Sequence, residues 1–367
     1  MNNRDISLLA VAGVQQLIPY KAGKPIEELE RELGLTQIIK LASNENPLGP
    51  SPKALAAIQH ALPELALYPD GSGFHLKQAL AKKFAVDVSQ ITLGNGSNEI
   101  LELIARAFLT PNLDVVFSQH AFAVYPLVTQ AAGAHAIVVP ALHYGHDLTA
   151  MAQAVTAKTR VVFIANPNNP TGTLLTQTEL EAFIGALPET VVCVLDEAYF
   201  EFVNQMAAIN SIDWLAKFPN LIITRTFSKA YGLAGLRIGY SFSSPELADI
   251  LNRVRQPFNN NSLALIAAQA ALTDEVHLHQ TLANNSAGML QLTEGFQALN
   301  LEWIPSAGNF VAVDLKREAL PIYDALLRKG VIVRPVANYE MPNFLRISIG
   351  TLSENQRFLH MLSDCLH

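Results

Sequence analysis

At 367 residues, 50% hydrophobic and 16% charged, the chain can bury an ample core and is expected to be a soluble globular protein of two or three domains. Its formal net charge of −7, with no basic cluster to offset it, argues against a nucleic-acid surface. Its two cysteines, Cys193 and Cys365, imply no disulfide framework, and neither a basic-then-apolar leader nor a bilayer-length apolar run is present, so the cytoplasm is the expected setting.

In chain order, residues 1–46 read as an arm with one short helix, Ile26 to Leu33, stopped at Gly34. From 47 to about 258 strands alternate with helices, the pattern of an α/β domain whose parallel sheet is covered on both faces. The segment Ile91 to Leu101 reads as a strand, a tight turn at Gly94 and Gly96, and then an amphipathic helix through Leu109. Free N–H groups and the positive end of the dipole make such a helix start a phosphate site. A dinucleotide fingerprint would need a third glycine, which is missing.

Val161 to Ala165 is a buried-strand run that opens into Asn166-Pro167-Asn168-Asn169-Pro170-Thr171-Gly172, where prolines and asparagines force a turn. Asn169 can donate an amide proton to an anionic ring oxygen without bringing in a charge. A capping box, Thr176-Gln177-Thr178-Glu179, marks the next helix. Val191 to Leu195 is a second buried strand, and Asp196 stands at its carboxyl end, where open α/β sheets bind ligands. There it can keep a cofactor's pyridine nitrogen protonated, or simply cap the following helix. Tyr199, three residues on, is either a hydrogen-bond donor to the cofactor or a core tyrosine.

Lys229 lies in Thr226-Phe227-Ser228-Lys229-Ala230-Tyr231-Gly232-Leu233-Ala234-Gly235-Leu236-Arg237, with no carboxylate nearby in sequence. An apolar setting lowers a lysine's pKa, and the neutral amine condenses with aldehydes; pyridoxal phosphate is the commonest aldehyde cofactor held in this way. The alternative is a snorkelling surface lysine. Arg237 and the hydroxyl of Ser228 can complete a phosphate cup. After Asn259-Asn260-Asn261, read as a hinge or turn, come helical periods through Leu299. Strands at Glu302 to Ile304, Phe310 to Val313 and Phe344 to Ile349 and a last helix capped at Ser353-Glu354-Asn355-Gln356 then make 259–367 a smaller α/β domain. His143 and His146, like His277 and His279, read as solvated surface residues, and no metal site is expected.

The stretches Ser43-Asn44-Glu45-Asn46-Pro47, Gly94-Asn95-Gly96-Ser97-Asn98-Glu99, Asn168-Asn169-Pro170-Thr171-Gly172, Asp196-Glu197-Ala198-Tyr199 and Ser228 to Arg237 occur in the order seen in fold-type I aminotransferases. With Leu17-Ile18-Pro19-Tyr20, Leu67-Tyr68-Pro69-Asp70-Gly71, Val331 to Pro335 and Leu345 to Gly350, nearly the whole chain resembles the histidinol-phosphate aminotransferase family. That resemblance implies transamination with pyridoxal 5′-phosphate bonded to Lys229, Asp196 on the ring nitrogen, and Tyr199 and Asn169 on the ring 3-oxygen. It implies Gly96, Ser97, Asn98, Ser228 and Arg237 on the phosphate, Phe122 on the ring face, and Tyr20, Asn46, Arg334 and Arg346 toward substrate. It also implies a homodimer in which Tyr68 reaches the neighbouring subunit's cofactor.

Two positions depart from the family's usual pattern. Glu340 stands where glycine is frequent, and would weaken anion binding if it pointed inward; Lys21-Ala22-Gly23-Lys24-Pro25 alters the path of the arm. Rival readings with the same cofactor are an aromatic amino-acid aminotransferase and a phospho-amino-acid decarboxylase. A nicotinamide-dependent dehydrogenase leaves Lys229 unexplained, and a DNA-binding regulator conflicts with the acidic balance and the absence of any appended helix-turn-helix.

Overall fold

Continuous β-branched and apolar runs build the central sheet, because a strand covered on both faces has no side that must be polar. In the computed structural model, which describes residues 6–20, 23–203 and 209–366, the first strand is the short β1, Ile39–Lys40. Seven strands follow: β2 Ile91–Gly94, β3 Asp114–Ser118, β4 His135–Val139, β5 Thr159–Ala165, β6 Val192–Asp196, β7 Leu221–Thr226 and β8 Gly239–Ser243. They form one sheet in the order β2-β8-β7-β6-β5-β3-β4, in which β8 runs antiparallel to both its neighbours and the other pairings are parallel.

Successive residues of these strands feed opposite cores, as the period of two requires. Val162, Ile164, Cys193, Leu195 and Ile223 pack to one face, and Val161, Phe163, Val194 and Ile222 to the other. Helix Ser97–Phe108 belongs to the second face, whereas helix Ser262–Ala271 packs on helix Pro52–Ala61 in the first.

The remaining strands are β9 Glu302–Ile304, β10 Phe310–Asp314, β11 Val331–Ile332, β12 Arg334–Val336 and β13 Met341–Ser348. Four of them make an antiparallel sheet, β12-β13-β10-β9, against which Leu292, Phe296, Phe358 and Leu362 are buried. β1 pairs in parallel with β11 as a separate two-stranded sheet.

Several sequence expectations change here. The last helix, Leu352–Leu366, is capped by Thr351, whose hydroxyl accepts from the Glu354 N–H while the Glu354 carboxylate accepts from Thr351, two residues before the expected box. His146 and His277 are buried, not solvated: their ring nitrogens meet the carbonyls of Ala165 at 2.9 Å and Gly49 at 3.1 Å. The Lys21-Ala22 variation lies outside the described residues.

Candidate active site

The carboxyl ends of the parallel strands meet the smaller sheet around a cavity of about 320 Å³. Lys229, just past the end of β7, lines it together with Asp196, the last residue of β6. Burial lowers the Lys229 pKa to about 8, and its ammonium donates to the Ser43 carbonyl at 3.1 Å. An appreciable fraction is therefore the nucleophilic neutral amine near neutral pH.

Asp196 is buried, and burial pushes its carboxyl above the usual range. Its oxygens accept from Tyr125 Oη at 2.8 Å and Thr224 Oγ1 at 3.1 Å, which partly offsets that cost. Tyr125 is itself fixed by stacking on Phe163, ring centres 4.6 Å apart, and Phe122 lines the cavity edge-on to Tyr125.

From the smaller sheet come Arg346 and Arg334, which the β12–β13 register sets directly opposite each other. Arg346 is buried and donates to Asn169 Oδ1 and to the Ala42 carbonyl, each at 2.6 Å; Arg334 lies over the Tyr20 ring at 5.6 Å. All four side chains line the cavity. Because the acceptor end of Asn169 is held by Arg346, its N–H donors remain for a ligand.

At the other end, Gly96 has φ +77° and is followed by Ser97 and Asn98 at the start of helix Ser97–Phe108. A Cβ on Gly96 would strike the Arg237 guanidinium, which donates to Ser228 Oγ at 3.4 Å. The asparagine run is more than a turn: Asn260 Nδ2 donates to the Gly94 carbonyl at 2.8 Å, Asn259 Nδ2 to Leu93 at 3.3 Å, and Asn261 caps the next helix. They brace the glycine turn from behind.

Asn46 is not brought to the cavity. Its amide donates to the Ala230 carbonyl and Thr281 Oγ1, both at 3.0 Å, and accepts from Leu48, so its polar atoms are engaged elsewhere. Its neighbour Asn44, which the sequence reading passed over, is at the site and donates to Tyr199 Oη at 2.9 Å. Three consecutive residues, Ala42, Ser43 and Asn44, thus contact Arg346, Lys229 and Tyr199. Tyr68 is 84% exposed, stacked on Phe258, outside the cavity of its own chain. Glu340 is exposed and its carboxylate accepts from Gln119 Nε2. No cluster of His, Cys, Asp or Glu able to hold a metal occurs among the described residues.

Residues 36–362 match the family model for aminotransferase class I and II. A histidinol-phosphate aminotransferase 2 of Pseudomonas fluorescens is 61% identical, over 99% of this chain and 98% of its own length. One from Pseudomonas aeruginosa is 60% identical over 99% of each. The chain belongs to the class I and II aminotransferases, in the histidinol-phosphate aminotransferase family. A solved relative, histidinol-phosphate aminotransferase from Sinorhizobium meliloti in complex with pyridoxal 5′-phosphate, shares 32% identity and a TM-score of 0.91 over 97% of both chains.

The cofactor of this aminotransferase is pyridoxal 5′-phosphate. The donor set fits it: a buried carboxylate whose donors, Tyr125, Thr224 and the Ala198 N–H, are neutral suits a protonated ring nitrogen, and a lysine with a lowered pKa suits an aldehyde. The glycine turn, backed by a guanidinium too close to admit a side chain, suits a phosphate. Gly96→Ala should weaken cofactor retention by about tenfold or more, because a methyl must enter that space from a left-handed backbone. Titrating cofactor into the apoenzyme and following absorbance measures this; unchanged affinity would contradict it.

Proposed function

We propose that this aminotransferase moves the amino group of L-histidinol phosphate to 2-oxoglutarate, giving imidazole acetol phosphate and glutamate in histidine biosynthesis. Full-length identity of 61% to a histidinol-phosphate aminotransferase carries the reading, and Arg334 and Arg346 lining the same cavity as Lys229 agree with it. In this reading Lys229 bonds the cofactor, Asp196 meets the ring nitrogen, and Tyr199 and Asn169 meet the ring oxygen. Gly96, Ser97, Asn98, Ser228 and Arg237 hold the phosphate, with Phe122 on the ring face.

Bound there, the cofactor supplies an aldehyde carbon that accepts amines and a ring that delocalises the charge left when a neighbouring C–H loses its proton. The chain does the rest. The Lys229 amine would take the substrate's α-proton and, as the ammonium, deliver it to the cofactor's former aldehyde carbon, as a base of pKa near 8 can do in both directions. The Asp196 carboxylate holds positive charge at the ring nitrogen, where it lowers the cost of that transfer. Arg346, helped by Arg334 and Tyr20, grips the carboxylate of one substrate and the phosphate ester of the other, since a planar guanidinium matches either anion. Arg346→Leu should therefore raise KM for both partners by about tenfold to a hundredfold, the scale of a lost charged hydrogen bond. A rise confined to one partner in steady-state kinetics would contradict shared use.

The aromatic amino-acid and decarboxylase readings share this machinery, and half-reactions separate them. Mixed with histidinol phosphate and, separately, phenylalanine, the holoenzyme should lose its visible absorbance far faster with the phosphate ester; the reverse order would overturn the assignment.

The proposal extends to a homodimer in the cytoplasm. Tyr68, Leu65, Leu67 and Phe258 are exposed apolar surface around the position assigned to the neighbouring subunit's cofactor, and no helix among the described residues is long and apolar enough to cross a membrane. The arm, large and small domains are proposed at 1–46, 47–258 and 259–367, with the changeover in packing nearer Asp274, because Ser262–Ala271 joins the large sheet's core.

A further inference from the structure

We propose that Asn44 is a positioning residue that aims the hydroxyl proton of Tyr199 into the active-site cavity. The inference rests on the reading of Tyr199 as a donor to the cofactor's ring oxygen. It starts from the polarity of one hydrogen bond. Asn44 Nδ2 lies 2.9 Å from Tyr199 Oη, and an amide nitrogen can only donate, so the phenol oxygen is the acceptor. The phenol's own proton must then point elsewhere, and Tyr199 lines the cavity.

In this orientation the far end of the amide is engaged as well. Ser348 Oγ donates to Asn44 Oδ1 at 3.0 Å while accepting from the Asn44 backbone N–H at 2.7 Å. Asn309 Nδ2 donates to the Asn44 carbonyl at 3.0 Å. Every polar group of Asn44 is therefore engaged, and the residue is 1% exposed with φ +54°. The Tyr199 ring is fixed independently, edge-on to Phe310 with centres 5.0 Å apart. Burial also raises the phenol's pKa, so it keeps the proton it is to donate.

The arrangement also carries information between sheets. Ser348 lies two residues beyond Arg346 on β13, so the strand that presents the anion-gripping guanidinium also sets the amide that orients the phenol. A hydrogen bond donated to the ring oxygen favours its anionic form, and removal of that bond makes the bound cofactor easier to protonate.

The test uses Asn44→Gly, which suits the positive φ and leaves both backbone bonds possible, Ser348→Ala, which frees the far end of the amide, and Tyr199→Phe. Each holoenzyme is titrated with pH while its visible absorbance is followed, and its thermal midpoint is recorded. The absorbance midpoint should rise by about half to one pH unit in Tyr199→Phe, by a similar amount in Asn44→Gly and by less in Ser348→Ala. In the Tyr199→Phe background the other two changes should add nothing further to the midpoint. Loss of thermal stability with an unmoved absorbance midpoint in both Asn44→Gly and Ser348→Ala, while Tyr199→Phe moves it, would overturn the proposal and leave the Tyr199 reading standing. An unmoved midpoint in Tyr199→Phe would overturn both.

Discussion

Lys229→Ala should cut steady-state turnover by on the order of 10⁴-fold, since it removes both the amine that bonds the cofactor and the group that moves the proton. The protein should still fold, because among the described residues the ammonium makes one hydrogen bond, to Ser43, and losing it leaves a carbonyl beside a polar cavity. Borohydride reduction of the wild-type holoenzyme followed by peptide mapping should find the cofactor on the peptide containing Lys229. Retention of full turnover by the variant, or an adduct at another lysine, would remove the basis of the mechanism.

Arg225→Ala should destabilise the fold by about 3–5 kcal/mol, the cost of leaving a buried charge without its partner. Arg225 sits on β7 and is 1% exposed; its Nε and Nη2 donate to Glu197 Oε2 at 2.9 and 2.8 Å, and Phe200 covers its guanidinium at 3.6 Å. Glu201 lies in the same pocket, and burial raises its carboxyl to about 7 in spite of the arginine. The sign of the pH dependence follows from that raised value. A carboxyl that holds its proton more tightly when folded contributes stability at low pH, and that contribution is lost as pH rises through its folded value. Removing Arg225 takes away an attraction that favours ionised Glu201, so the loss should be larger at about pH 8 than at about pH 5. Urea unfolding at the two pH values measures it. Equal small losses at both would mean that the pair contributes little.

The large sheet was legible because its strands are continuous apolar runs, each ended by a polar or glycine-rich stretch. Asp196, Asn169 and Lys229 stand out at those junctions for the same reason. What could not be read were side-chain partners far apart along the chain. Asn44 and Tyr199 are 155 positions apart, Asn44 and Ser348 are 304 apart, and no periodicity links them. Asn44 and Asn46 share one motif, yet a left-handed backbone at Asn44 sends its amide toward the cavity while that of Asn46 is bound by Ala230 and Thr281. The final helix is capped by Thr351 with Glu354 in place of the expected Ser353 with Gln356, a choice that composition does not make. Burial of His146 and His277 likewise depends on carbonyls brought up by other segments.

The strap from Leu41 to Asn44 has a consequence for synthesis. Leu41 donates to the Ile332 carbonyl at 2.7 Å and accepts from the Ser348 amide at 2.9 Å, so an early stretch of chain is held in part by some of the last residues to be made. On the ribosome the seven-stranded sheet has all its strands long before that clasp can form. The pocket is among the final pieces to be completed, and a nascent chain cut short before residue 348 would carry its lysine without a finished place to use it.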